Sequence, residues 1–89
     1  MKKQEIEMAE FLEALKAPQS RRILEKLAAE DMSVETLMRK TKFSNQSIQL
    51  HLQPLMMAKL VAKGRTGLLK LNRTKFNQIA DWFKLIANS

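Results

Sequence analysis

The sequence predicts a mainly α-helical domain with one small β-hairpin, in the order α-α-α-α-β-β-α. Apolar residues recur with the period of a helix through most of the chain, and two short β-prone runs flank a glycine-containing turn. Neither an internal repeat nor a low-complexity linker interrupts the 89 residues. This length accommodates one domain, residues 1–89, with a core so small that a partner subunit would stabilise it.

A proline separates the first two predicted helices. The apolar positions of the first are spaced three and four residues apart: Met8, Phe11, Leu12 and Leu15. This spacing predicts a helix over residues 3–16. Because proline suits the first turn of a helix, Pro18 ends this helix and begins the second. The apolar face of the second helix comprises Ile23, Leu24, Leu27 and Ala28.

Two serines mark the starts of the third and fourth helices. Ser33 can cap a short helix, and Ser44 can cap the next one, which begins at Asn45. The predicted buried stripe of the fourth helix is Ile48, Leu52, Leu55 and Met56. Pro54 lies inside this helix, where it removes a backbone hydrogen bond and predicts a kink near residues 50–53.

Residues 61–63 and 68–71 read as a hairpin around the turn at residues 64–67, and we call residues 61–71 the wing. Asn72 or Thr74 then caps a last helix over residues 74–87. Its apolar stripe contains Phe76, Ile79, Ala80, Phe83 and Ile86, widened by Trp82 and Leu85. One small core cannot cover so broad a face, which favours a second subunit.

Charge is distributed unevenly along the chain. Residues 1–35 carry six basic and eight acidic side chains, whereas residues 36–89 carry ten basic side chains and only Asp81 as an acid. The net charges are −2 and +9, and the total is +7. By itself this balance fits either a solvated basic surface or a nucleic-acid face.

Several function classes are not expected. The chain has no cysteine, which excludes a disulfide framework, a thiolate metal site and a thiol switch. His51 is the only histidine, and the sequence holds no catalytic constellation or phosphate-binding loop, so we expect no enzyme and no cofactor. Without a signal peptide or a long apolar stretch, the protein is expected in the cytoplasm.

The third and fourth helices have the spacing of a helix-turn-helix, and the hairpin after them indicates a winged helix-turn-helix. The run SVETLMRKTKFSNQSIQLHLQPLMMAKLV resembles, without a gap, the ArsR-type repressor pattern SVGELAEALGLSQSTVSHHLKVLREAGLV. LKAPQSRRILEKLA is similar to that family's LADPTRLRILELLA. GRTGLLKLN and ADWF resemble its wing and last helix, so the likeness spans residues 12–83.

The resemblance implies a homodimeric repressor that occludes a promoter by binding double-stranded DNA at a palindromic operator. Its dimerisation helices would be residues 3–16 and 74–87. The expected interface residues are Met8, Phe11, Phe76, Ile79, Trp82, Phe83 and Ile86. Ser33 and Glu35 occupy the positions of the family's metal-binding cysteine pair, and Asp81 is the only acid of the last helix. We therefore expect no metal sensing.

One face of the fourth helix has the composition of a base-reading surface. This reading face carries no charge and consists of Asn45, Gln46, Gln49, Leu50 and Gln53. Amide side chains can pair with adenine, and Leu50 can touch a thymine methyl. Ser47 lies at its margin, and Ser44 can meet a phosphate at the helix N-terminus.

Basic residues bracket the reading face. Arg39, Lys40 and Lys42 flank the turn between the helices, and Lys63, Arg65 and Lys70 lie in the wing. Such an arrangement lets phosphate contacts orient the protein while the uncharged helix discriminates bases. Two other interpretations stay open: a winged-helix module that binds another protein, and nonspecific architectural DNA binding, which fits the charge better than it fits the neutral helix.

Overall fold

The computed structural model describes the backbone of residues 3–87 and the side chains of residues 9–81, 84 and 85. The elements follow the predicted order and confirm the fold class. They are α1 Lys3–Ala14, α2 Pro18–Ala29, α3 Val34–Thr41, α4 Asn45–Met57, β1 Val61–Lys63, β2 Leu69–Leu71 and α5 Arg73–Ala87. Within these described elements, no helix is long and apolar enough to cross a membrane.

The predicted caps form at three helix starts. The Ser33 hydroxyl accepts a hydrogen bond from the Thr36 N–H at 3.2 Å, and α3 begins directly after it. Ser44 caps α4 in the same way by accepting from the Ser47 N–H at 3.1 Å. At α5 the cap is Asn72, which was one of the two candidates. Each side chain satisfies a backbone donor that the helix itself leaves unpaired.

Helix α1 ends at Ala14, two residues before the predicted end. The Arg21 guanidinium donates to the Leu15 carbonyl oxygen at 2.8 Å and to that of Lys16 at 3.3 Å. An arginine from α2 thus satisfies carbonyl groups just beyond the end of α1. The corner between the two helices is fixed by this side chain as well as by Pro18, which occupies the first turn of α2.

The core is formed by α2, α3, α4 and the hairpin, and α1 and α5 contribute Phe11, Ala14 and Ile79 to it. Its largest fully buried apolar side chains are Ile23, Leu27, Leu37, Ile48, Leu55, Leu60 and Leu69. The prediction that Met56 belongs to this core is wrong, because its side chain is 40% exposed. At about 100° per residue, Met56 falls on the flank of the stripe that Ile48, Leu52 and Leu55 form.

Strands β1 and β2 pair antiparallel, with Val61 opposite Leu71 and Lys63 opposite Leu69. The residue before the α3 cap adds an edge to this hairpin: the Met32 N–H donates to the Leu69 carbonyl at 3.2 Å, and the Leu69 N–H donates to the Met32 carbonyl at 2.8 Å. The wing is therefore hydrogen-bonded to the segment that leads into α3.

Candidate nucleic-acid interface

The turn between α3 and α4 is closed by a buried hydroxyl. Thr41 Oγ1 donates to the Leu37 carbonyl oxygen at 2.6 Å and accepts from the Phe43 N–H at 3.2 Å. Lys42, which follows α3, has the left-handed backbone conformation with φ of 66°. This conformation ends α3 and changes the direction of the chain. Ser44, two residues later, can therefore cap α4.

Helix α4 turns its two faces to different environments. Ile48, Leu52 and Leu55 are buried in the core, while all five residues of the reading face are exposed. Leu50 is 65% exposed although it is large and apolar. Ser47 is half-buried, in agreement with a place at the margin of this face. The helix continues past Pro54 for three residues without interruption, so the reading face projects from one continuous element.

Two residues at the start of α4 have partners within the chain. The Ser44 oxygen is engaged in the cap, although a hydroxyl can still donate its own hydrogen to a phosphate. The Asn45 amide nitrogen lies 3.9 Å from the Met38 sulfur, which draws this side chain toward α3. The central part of the reading face is therefore formed by the three glutamines and Leu50.

The basic residues near the turn are exposed but differ in their contacts. The Arg39 guanidinium lies 3.4 Å from Thr36 Oγ1, and Lys40 Nζ lies 3.6 Å from Glu30 Oε1. Such exposed contacts are weak and can be exchanged for a phosphate at little cost. Lys42 is exposed between the two helices. The structure thus brings these three residues to the same end of α4 as Ser44.

The wing separates its basic residues rather than grouping them. Lys63 pairs with buried Leu69 across the hairpin, whereas Lys70 pairs with Ala62 on the opposite face of the strands. Because paired residues of an antiparallel ladder point to the same side, the two lysines lie on different faces of the wing. Arg65 is exposed in the turn between them. Three basic residues therefore surround the tip instead of lining one surface.

His51 and Arg22 have structural contacts. His51 Nδ1 lies 2.8 Å from the Ser47 carbonyl oxygen one turn earlier in α4, and the ring is half-buried. Arg22 forms an exposed ion pair with Glu25 at 3.0 Å. Neither side chain belongs to the reading face.

Two long-range side-chain contacts near the start of α5 could not be predicted from the sequence. The Arg73 guanidinium donates to the Ala28 carbonyl oxygen at 3.0 Å, across a separation of 45 residues. The Asn72 amide donates to the Lys59 carbonyl oxygen at 3.1 Å. Both residues precede or begin α5, so they tie this helix to the ends of α2 and α4. Contacts this distant in sequence leave no periodic pattern that could predict them.

Two expected interface residues need correction. Phe11 and Ile79 are only 3% and 6% exposed because they pack in the subunit's own core, so they are not available to a partner. Phe76 is half-buried and meets Phe11 edge to face, with ring centroids 6.5 Å apart. The side chains of Met8, Trp82, Phe83 and Ile86 lie outside the described residues. Leu12 and Leu85, at 49% and 71% exposed, are apolar surface residues on α1 and α5.

This arrangement of a helix-turn-helix, a following hairpin and flanking helices defines a winged helix-turn-helix domain. A solved structure described as an ArsR-like transcriptional regulator from Rhodococcus sp. RHA1 matches it with a TM-score of 0.83 and 25% sequence identity, over 96% of this chain and 81% of that chain. No protein-family model matches the chain, and no curated protein matches it in sequence. The structural match supports the ArsR-type winged helix-turn-helix family, in agreement with the sequence resemblance.

Proposed function

We propose that the protein is a sequence-specific double-stranded DNA-binding transcription regulator that acts as a homodimer, represses by occluding a promoter, and needs no metal ion or cofactor. The observation that supports this proposal is the exposed, uncharged reading face of α4, which is flanked in sequence by exposed basic residues of the turn and of the wing. The similar solved structure, described as a transcriptional regulator, supports the same class of function.

The division of labour between charged and neutral residues follows from what DNA presents. Phosphates attract any cation, so lysine and arginine supply affinity that depends on salt and orient the protein. Base edges in the major groove present distinct donors and acceptors, which neutral amides can distinguish. In this chain the six basic residues of the turn and wing are exposed, and α4 itself contains no lysine or arginine. We therefore assign phosphate binding to the basic residues and base discrimination to the neutral residues of α4.

The homodimer is proposed to form through residues 3–16 and 74–87. Leu12 and Leu85 supply exposed apolar surface on α1 and α5, and Phe76 is only half-buried. A two-fold axis through these helices would place two copies of α4 about 34–36 Å apart, one turn of DNA. Such a dimer requires a palindromic operator, because the symmetry of the protein is repeated in its site.

The proposal excludes metal sensing on the residues of this chain. Cysteine is absent from the sequence, and Ser33, at one of the positions where the resemblance places a ligand, is the cap of α3. Within the described side chains, no three carboxylates or histidines come together. A regulator built on these residues would respond to its own abundance or to another kind of partner.

The test is selection of bound duplexes from random DNA, followed by salt titration of the selected and a random duplex. A sequence-specific dimer will enrich an inverted repeat and keep a preference for it across the titration. Equal, salt-dependent binding to both duplexes would indicate architectural binding instead. Absence of binding to either duplex would favour a protein-binding module, and in both cases the proposed function is wrong.

A further inference from the structure

Leu50 occupies the centre of the reading face without a structural reason to be apolar. It is 65% exposed and lies on the opposite side of α4 from the buried residues Ile48 and Leu52. Gln46 is four residues before it and Gln53 three residues after it, so the three side chains form one row along the helix. A single exposed leucine is common on proteins, but this one lies between two glutamines on the surface proposed to enter the major groove.

The glutamines around Leu50 are available to a base. Gln46, Gln49 and Gln53 are exposed, and within the described part of the chain none forms a side-chain hydrogen bond. A glutamine amide has both a donor and an acceptor, which match the N7 acceptor and N6 donor that adenine presents. Guanine presents two acceptors in the major groove and is matched best by the two donors of an arginine.

No basic residue is placed to read guanine from α4. The described helix, residues 45–57, contains no lysine or arginine. The nearest basic residues before it, Arg39 and Lys40, belong to α3 and are assigned to phosphate contacts rather than to the reading face. The row from Gln46 to Gln53 therefore offers amides and one apolar group and no pair of cationic donors.

We infer that α4 recognises a half-site core of about three consecutive A·T pairs, in which Leu50 contacts the C5-methyl group of a thymine and the glutamines pair with adenines. This inference rests on the proposed function, since it requires α4 to lie in the major groove. The length follows from the helix: the seven steps from Gln46 to Gln53 span about 10 Å along its axis, close to the rise of three base pairs. Thymine is the one base of DNA with a methyl group in this groove.

The experiment uses the full chain and the duplex enriched by selection. In one set of duplexes each core thymine is replaced by deoxyuridine, which removes only the methyl group, and in another each adenine is replaced by 7-deazaadenine, which removes the N7 acceptor. We expect one uridine substitution to weaken binding about three- to fivefold, the worth of one buried methyl. The deaza substitution should weaken binding independently of it.

Two variants assign the methyl effect to Leu50. Leu50→Ala should bind the thymine and uridine duplexes equally, whereas Leu50→Met, which keeps an apolar group at the same place, should restore the discrimination. A selected core rich in G·C, or equal binding of thymine and uridine duplexes by the unmodified protein, would overturn this inference while leaving the proposed function intact. Failure to enrich any sequence would overturn both. The binding measurements with the unmodified protein test this inference even if a variant does not fold.

Discussion

The Asn72 side-chain amide donates a hydrogen bond to the Lys59 carbonyl oxygen at 3.1 Å, and this contact connects the segment after α4 to the start of α5. Asn72 Oδ1 also accepts from the Lys75 N–H at 3.1 Å and caps α5. The backbone at Lys59 is left-handed, with φ of 65°. One side chain therefore stabilises an unfavourable backbone turn and begins the helix proposed to hold the dimer.

The two roles of Asn72 can be separated by substitution. Asn72→Asp keeps the oxygen that caps α5 but removes the donor to Lys59, so it should lower the free energy of unfolding by about 1 kcal/mol. Asn72→Ala loses both and should cost about 2 kcal/mol. Urea denaturation followed by circular dichroism measures both values. Equal costs for the two variants would contradict a separate contribution from the Lys59 contact.

Lys42 adopts a backbone conformation that favours glycine. Lys42→Gly should raise the free energy of unfolding by about 0.5–1 kcal/mol, since it removes the steric strain of a left-handed residue at a helix end. The same variant should bind DNA more weakly because one cation is lost. Lys42→Ala is the matched control: it loses the charge and keeps the strain. Thermal unfolding and binding to the selected duplex report the two effects, and a less stable glycine variant would refute the argument.

Gln46 and Gln49 are expected to specify bases. Replacing either with alanine should cost about 1–3 kcal/mol on the selected duplex and leave binding to random DNA unchanged, because the lost contact is to a base edge. Gln19→Ala, in the first turn of α2, removes the same amide away from α4 and from the proposed dimer helices. Competition binding gives the ratio of affinities. If specificity is unchanged in both variants of α4, the reading face is assigned incorrectly.

Arg65 in the turn of the wing is expected to neutralise a phosphate. Arg65→Ala should weaken binding to every duplex and lower the slope of log affinity against log salt by about one. Arg22→Ala removes an arginine from α2 that pairs with Glu25, and its slope should match that of the unmodified protein. Fluorescence anisotropy at several salt concentrations supplies the slopes. An unchanged slope for Arg65→Ala would place this side chain away from the DNA backbone.

Leu85 tests the proposed subunit contact. Its side chain is 71% exposed in the subunit, so Leu85→Glu should leave the fold of one subunit intact. In a dimer formed through α5, the same substitution buries an unpaired charge and should produce monomers. Asn77→Glu adds the same charge at another exposed position of α5. Sedimentation velocity at micromolar concentration distinguishes the states, and a monomeric unmodified protein that binds a palindrome tightly would exclude the dimer.

Local chemistry explains why much of the helix-turn-helix was predictable. Ser33 and Ser44 predict the starts of α3 and α4 because a capping residue and the helix it begins are neighbours in sequence. The bridge between Met32 and Leu69 was missed because it joins residues 37 positions apart, and no period or motif in the chain encodes it.

Hydrophobic spacing identified apolar faces but not what covers them. Phe11 and Ile79 were assigned to a second subunit, whereas each is buried by its own chain. Helical periodicity predicts which side of the helix an apolar side chain lies on. It does not predict whether that side packs against the same chain or against a second subunit. The four amide residues of the reading face are exposed because polar side chains require no apolar neighbour within the chain, and their role in reading bases stays a prediction.

The pairing of Met32 with Leu69 has a thermodynamic consequence for association. Two strands of three residues form a weak hairpin when isolated, and a third hydrogen-bonded segment limits its motion. The conformational entropy of the wing is then lost when the protein folds, before DNA is encountered. Because Met32 is followed directly by the cap of α3, these hydrogen bonds connect the wing to the start of the helix-turn-helix. Because this surface is already ordered in the free protein, binding to a duplex costs little further conformational entropy.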